Sequence, residues 1–259
     1  MPEATVNGIR LYYEEHGQGP PILCIHGTAS SAMVWGSSIE PLAKLGRVIA
    51  YDRRGCTRSE RPEPYERTFV SEHADDAAAL LVELDARPAV VVGRSYGGEI
   101  AIDLALRYPN EVRALALLEP AILNFAPEAK AWADELRDTL FAAAANGTDR
   151  VGETFIRTVT GQWESFPGPI RRMFTENGPA ILAEFRGGFL EVGIDQLARI
   201  DVPTLLAGGS DSPGYFRQVR DVMASAMPSA RTAQVPGGHL VNPADPSIVE
   251  FVRGVLAAA

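Results

Sequence analysis

Six short, largely apolar runs, each halted by a glycine, an acid or a turn, constrain the fold of this chain more than any other feature. Pro21-Ile22-Leu23-Cys24-Ile25 stops at His26-Gly27, Val48-Ile49-Ala50-Tyr51 at Asp52, and Ala89-Val90-Val91-Val92 at Gly93. Ala114-Leu115-Ala116-Leu117-Leu118 stops at Glu119-Pro120, Thr204-Leu205-Leu206-Ala207 at Gly208-Gly209, and Thr232-Ala233-Gln234-Val235 at Pro236-Gly237-Gly238. A strand with one wet face alternates polar and apolar residues. A run without alternation implies burial on both faces, the condition of a parallel sheet sandwiched by helices. Stretches with helical spacing separate most of the runs: Val70 to Leu84, Glu99 to Arg107, Phe216 to Ala226 and Ser247 to Leu256. The alternation predicts an α/β class fold with a mostly parallel, doubly wound sheet. Ahead of it, Val6-Asn7-Gly8-Ile9 carries an Asn-Gly hairpin signal and Leu11 to Glu15 continues as a strand.

The rhythm lapses between residues 121 and 197. Helix formers and aromatics dominate there, among them Phe125, Trp132, Phe155, Trp163, Phe166, Phe174 and Phe185, without a clear strand signal. The expected organisation is a core made of residues 1–120 and 198–259, with 121–197 inserted as a helical cap after the sixth strand. A chain of 259 residues is long enough for one large domain with such an insertion.

Charge narrows the partners. The formal net charge of −9 opposes nucleic acid and anionic membrane surfaces and leaves a small-molecule substrate as the expected partner, with a homodimer left open. The N-terminus lacks a basic stretch followed by an apolar one, and no apolar run reaches membrane-spanning length, so a cytoplasmic protein is expected. Cys24 and Cys56 are read as reduced thiols, Cys24 within the core. No Cys/His spacing suggests a metal site, and no cofactor is expected.

The chemistry concentrates at the carboxyl ends of the runs. Gly93-Arg94-Ser95-Tyr96-Gly97-Gly98 joins a strand to a helix, and a serine there is held in a tight, strained turn beyond the sheet edge. The helix behind it aims its positive end at the same spot. Ser95 is the candidate nucleophile. Of the four histidines, His16 lies in the early hairpin and His73 opens a polar-faced helix, so both are expected at the surface. His26 is expected to buttress its own loop. His239, in the loop after the last strand, is the candidate general base. Two strand-end carboxylates compete for the third place. Glu119 would be costly to bury without a partner. Asp211 follows the penultimate strand and also suits a turn or helix cap before Ser212-Pro213. The Gly27-Thr28 loop and the residue after the nucleophile, Tyr96, are placed to donate oxyanion N–H groups, Thr28 and Tyr96 foremost. Trp35 either lines the pocket or packs in the core.

Taken together, His26-Gly27, Asp52-Arg53-Arg54-Gly55, Gly93-x-Ser95-x-Gly97-Gly98, Gly208-x-x-Asp211 and Gly238-His239 resemble the α/β-hydrolase superfamily over nearly the whole chain. One departure stands out: Thr57 occupies a position where the superfamily often has a second glycine. Leu118-Glu119-Pro120 and Ser212-Pro213-Gly214-Tyr215-Phe216-Arg217 are similar to small bacterial hydrolases. The resemblance to zearalenone-type lactonases implies Glu119 as the acid, whereas the commoner superfamily pattern implies Asp211. By this resemblance the expected activity is a serine hydrolase, a carboxylesterase or lactonase acting on a fairly apolar ester through a Ser-His-acid triad and an oxyanion hole. A cofactor-free perhydrolase or carbon–carbon bond hydrolase is the alternative on the same triad, and a non-catalytic ligand receptor the third reading.

Overall fold

The computed structural model of the chain describes residues 2–145 and 147–258; positions 1, 146 and 259 of the expected core and insertion lie outside the described residues. Eight strands form one sheet: β1 (Glu3–Val6), β2 (Ile9–His16), β3 (Pro21–Ile25), β4 (Arg47–Tyr51), β5 (Ala89–Arg94), β6 (Val112–Leu118), β7 (Thr204–Gly209) and β8 (Ala230–Val235). Their spatial order is β1-β2-β4-β3-β5-β6-β7-β8. β2 runs antiparallel to both its neighbours, and every pairing from β4 to β8 is parallel. The expected hairpin is present, with Val6 opposite Ile9. Asn7 and Gly8 both take positive φ, the backbone sense that matches strand twist.

Ten α-helices accompany the sheet among the described residues. They are α1 (Glu40–Ala43), α2 (Val70–Glu83), α3 (Tyr96–Arg107), α4 (Pro127–Ala144), α5 (Asp149–Thr160), α6 (Gly168–Glu176), α7 (Gly178–Gly187), α8 (Ile194–Leu197), α9 (Gly214–Ala226) and α10 (Pro246–Ala257). Helices cover both faces of the sheet. On one face Leu23, Ile25, Val91, Leu115 and Leu117 pack against α2, α3 and α9 through Leu80, Leu81, Ile100, Leu104, Val219 and Met223. On the other, Cys24, Val90, Val92, Ala116 and Leu118 meet Leu42 of α1 and Ile248 and Val252 of α10. The two sets interleave along each strand, as the period of two in a pleated backbone requires. This is why the runs in β3 to β6 are apolar throughout, whereas the run in β8, expected to be covered on both faces, lies at the sheet edge, is largely exposed and carries Thr232 and Gln234.

Helices α4 to α8 fill the connection between β6 and β7. Their apolar faces form a separate cluster around Leu136, Leu140, Phe155, Trp163, Phe174 and Phe185. α5 stops at Gly161, which takes the left-handed φ of 66° that closes a helix without a Cβ penalty. Among the described residues no helix is long and apolar enough to cross a membrane.

Candidate active site

β5 and α3 meet at Ser95, whose φ of 52° and ψ of −120° lie outside the regions comfortable for an L-residue. Close packing enforces this turn. A Cβ on Gly93 would lie 2.4 Å from the Gly97 carbonyl oxygen, and one on Gly97 would lie 2.2 Å from that of Ile25. The serine is therefore held at the strand end by neighbours that cannot acquire side chains.

The Ser95 hydroxyl lies 3.0 Å from Nε2 of His239, and the opposite ring nitrogen, Nδ1, lies 2.8 Å from Oε2 of Glu119. The second Glu119 oxygen, Oε1, accepts the Gly209 N–H at 2.7 Å. Glu119 itself sits at φ 47°, an uncommon conformation for a non-glycine residue. Its N–H nonetheless continues the ladder to Ala207 O. This kink lets a residue one step beyond β6 reach the loop after β8. Burial pushes the Glu119 carboxyl up, but the His239 hydrogen bond, the imidazolium charge and the Gly209 N–H outweigh it, leaving the group below the usual glutamate range. The Phe216 ring stacks on the His239 imidazole at 4.5 Å between centroids and 22° between planes, fixing its orientation.

Asp211 does not join this chain. Its carboxylate is exposed and accepts from Ser210 Oγ, and its N–H donates to Gly237 O. It serves the turn, the role its flanking residues also suited. Trp35 takes the second of its two expected places. It is 1% exposed and packs in the core, with the Arg94 guanidinium over its ring, so it does not line the pocket. His73, expected at the surface, is buried: it faces inward from α2 against Arg53 and makes an edge contact with Tyr96. His26 buttresses its loop as expected, with Nδ1 on Gly27 O and Nε2 accepting the Arg53 N–H. His16 is exposed, and both cysteines are buried and free.

Gly27 and Thr28 stand beside the serine. A Cβ on Gly27 would lie 3.2 Å from that of Ser95. The Thr28 and Tyr96 amides have no hydrogen-bond acceptor given among the described residues; Thr28 lines the same cavity as Ser95, and Tyr96 opens α3 directly after it. A cavity of about 350 Å³ opens over Ser95 and His239, with Gly27, Thr28 and Arg94 at its base and Phe155, Ile156 and Phe174 on the opposite wall.

Under this floor lies a polar cluster that the sequence did not announce. Arg53, 0% exposed, pairs with Glu184 of α7 at 2.7 Å and donates to the carbonyls of His26 and Gly27 at 3.1 and 3.0 Å. The substituted turn is also tied to the α4–α8 segment. Thr57 keeps a positive φ of 46°, and its N–H donates to Oδ1 of Asn177 at 2.7 Å.

The sequence matches the family described as alpha/beta hydrolase fold over residues 20–246. The chain belongs to that family. A putative carbamate hydrolase, RutD of Azorhizobium caulinodans, is 30% identical over 96% of this chain and 95% of its own length. An uncharacterized hydrolase of Bacillus subtilis, YraK, is 37% identical, but over 46% of this chain and 44% of that protein. Among solved structures, Est816, described as an N-acyl homoserine lactone degrading enzyme, superposes with a TM-score of 0.74 at 25% identity, covering 98% of this chain and 99% of that one.

Proposed function

We propose that this chain is a serine hydrolase that cleaves an ester or lactone of a small, fairly apolar molecule. The observation that carries the reading is the unbroken contact from Glu119 through His239 to Ser95 at the base of a cavity. In this reading Ser95 Oγ attacks the carbonyl carbon and His239 Nε2 takes its proton. Glu119 holds the ring with Nδ1–H as donor and stabilises the imidazolium as it forms. The oxyanion accepts from the Thr28 and Tyr96 N–H groups. His239 returns the proton to the leaving alcohol, and water, deprotonated by the same imidazole, releases the acyl group from Ser95. The aromatic wall provides the apolar surface that would hold the rest of the substrate. The lactonase reading is favoured by the similarity to the N-acyl homoserine lactone degrading Est816.

A fluorophosphonate probe should label Ser95, and a panel of p-nitrophenyl esters and lactones should be turned over by the native chain. Ser95→Ala should lose on the order of 10⁴-fold or more in kcat, and Glu119→Ala roughly 10³- to 10⁴-fold. Asp211→Ala should stay within about twofold, as expected for an exposed turn residue. If Asp211→Ala proved the more damaging of the two, the acid assignment would be reversed. A protein that neither reacts with the probe nor turns over any member of the panel would overturn the hydrolase reading.

A further inference from the structure

Arg94 fills the variable position of the serine turn and closes β5. It stands one glycine after a run of valines, yet carries a guanidinium that is only partly exposed. That guanidinium lies over the face of Trp35, with Cζ 4.5 Å from the ring centroid. Its Nε is enclosed and has no partner among the described residues, and no carboxylate there pairs with the group. Arg53, Arg54 and Arg58, by contrast, end on Glu184, Asp76 and Asp52 respectively. Burial alone draws the Arg94 pKa down to about 10, still far enough above neutrality to keep the charge. It lines the cavity that also holds Ser95, where it is the one Lys, Arg, Asp or Glu among the described lining residues.

An enclosed cation without a counter-ion is costly, and proteins usually supply the partner. Here the open side of the group is a ligand cavity. A guanidinium offers two parallel donors matched to a carboxylate, and such a pair gains strength where water is excluded. We propose that Arg94 binds a carboxylate of the substrate, so that the preferred esters or lactones carry an acid group separate from the scissile carbonyl, as in the half-ester of a dicarboxylic acid. The proposal rests on the hydrolase reading for its chemistry, but the anion site stands on its own geometry. The net charge of −9 does not oppose it. Repulsion from surface charges is screened over roughly 8 Å in physiological salt, whereas Arg94 acts at contact. The opposing wall of Phe155, Ile156 and Phe174 suits the hydrocarbon between the two ends.

The test uses matched neutral and anionic ligands on the full chain. Calorimetry on Ser95→Ala, which binds without turnover, compares monomethyl glutarate with dimethyl glutarate, and the succinate and adipate pairs alongside. The half-ester of at least one pair should bind about 10- to 100-fold more tightly than its diester, the gain expected of one enclosed charge-assisted pair. Adding Arg94→Met or Arg94→Gln should bring the ratio close to one, while Arg94→Lys should keep part of it. The native chain should show the same preference in kcat/KM, mainly through KM. Two uncharged replacements guard against one failing to fold. Equal binding of every pair, a preference that survives both replacements, or no binding at all overturns the proposal. Hydrolysis of neutral esters without charge preference would sink the anion site and leave the hydrolase reading intact. Arg94-dependent binding of half-esters with no hydrolysis by the native chain would do the reverse.

Discussion

Two arginines stand at strand ends in the same sheet, Arg53 fully buried and Arg94 partly exposed, and they live in opposite surroundings. Arg53, just past β4, has every side of its guanidinium answered: Glu184 supplies a carboxylate, the carbonyls of His26 and Gly27 accept from Nε and Nη2, and His73 flanks Nη1. Arg94, at the end of β5, has an indole face and an open cavity. The difference separates a charge used to build from a charge left available. Arg53 reaches across to α7, so one ion pair ties the α4–α8 segment to the loop that carries Thr28. In this way the wall and floor of the cavity are set by the same contact. Arg94 builds nothing comparable, and its cost is tolerable only if something else meets it.

Arg53→Met should give the largest stability effect of this comparison, because it leaves Glu184 buried and uncompensated. The expected loss is roughly 3–5 kcal/mol in urea unfolding. It should be accompanied by a drop in turnover as the Gly27-Thr28 loop loses its carbonyl anchors. Arg53→Met combined with Glu184→Leu should recover most of the stability, since a buried pair exchanged for apolar groups is often neutral. A loss under 1 kcal/mol from the single change would break the comparison, by showing that Arg53 is as dispensable as an unpaired group.

Glu99 sharpens the same point, because it lies near Arg53 without a share of it. It is fully buried on α3, and Oε2 accepts the Leu190 N–H while Oε1 has no partner among the described residues. Burial raises its pKa well above the usual value; the Leu190 N–H opposes it, the charge of Glu184 adds to it, and Arg53 opposes it least. The folded state thus keeps a proton that the unfolded chain releases above about pH 4.5. With fewer protons bound in the unfolded state, stability falls as pH rises from there towards the folded-state pKa, by at most about 1.4 kcal/mol per pH unit. Glu99→Gln retains an acceptor for Leu190 and removes the titration. Unfolding at pH 6 and pH 8.5 should show the variant gaining more at the higher pH. An equal gain at both would mean Glu99 is ionised in the fold.

How much of this was legible in the sequence follows from the range of each interaction. Strands, their order of use and the Ser95 turn are written locally, in runs and in glycines whose Cβ positions are already occupied. The contact of His239 with Ser95 was readable because the loop after the last strand lies at the same sheet edge as the serine turn. That Glu119 and not Asp211 touches His239 was not, because it depends on a kink at φ 47° and on which loop turns outward. The Arg53–Glu184 pair spans 131 positions, so neither residue signals the other. His73 looked exposed because its helix carries Glu72, Asp75 and Asp76, and only the packing shows that it faces the buried guanidinium. Trp35 was undecided between core and pocket, and its stacking under Arg94 places it in the core. Arg94 did leave a trace: a charge one glycine after four apolar strand residues, at the edge where ligands bind.

Arg94→Met should have the smallest effect on stability, and its sign is the informative part. Removing the cation costs the stack on Trp35, worth about 0.5–2 kcal/mol in such geometry. It also removes the penalty of an enclosed charge whose Nε has no acceptor, and methionine is flexible enough to cover the indole. These contributions oppose each other, so urea unfolding should place the variant within about 1 kcal/mol of the native chain or above it. A carboxylate ligand should raise the stability of the native chain and leave the variant unmoved, since a ligand stabilises only the fold that binds it. A loss matching that of Arg53→Met would erase the distinction between the two arginines and assign both to the scaffold.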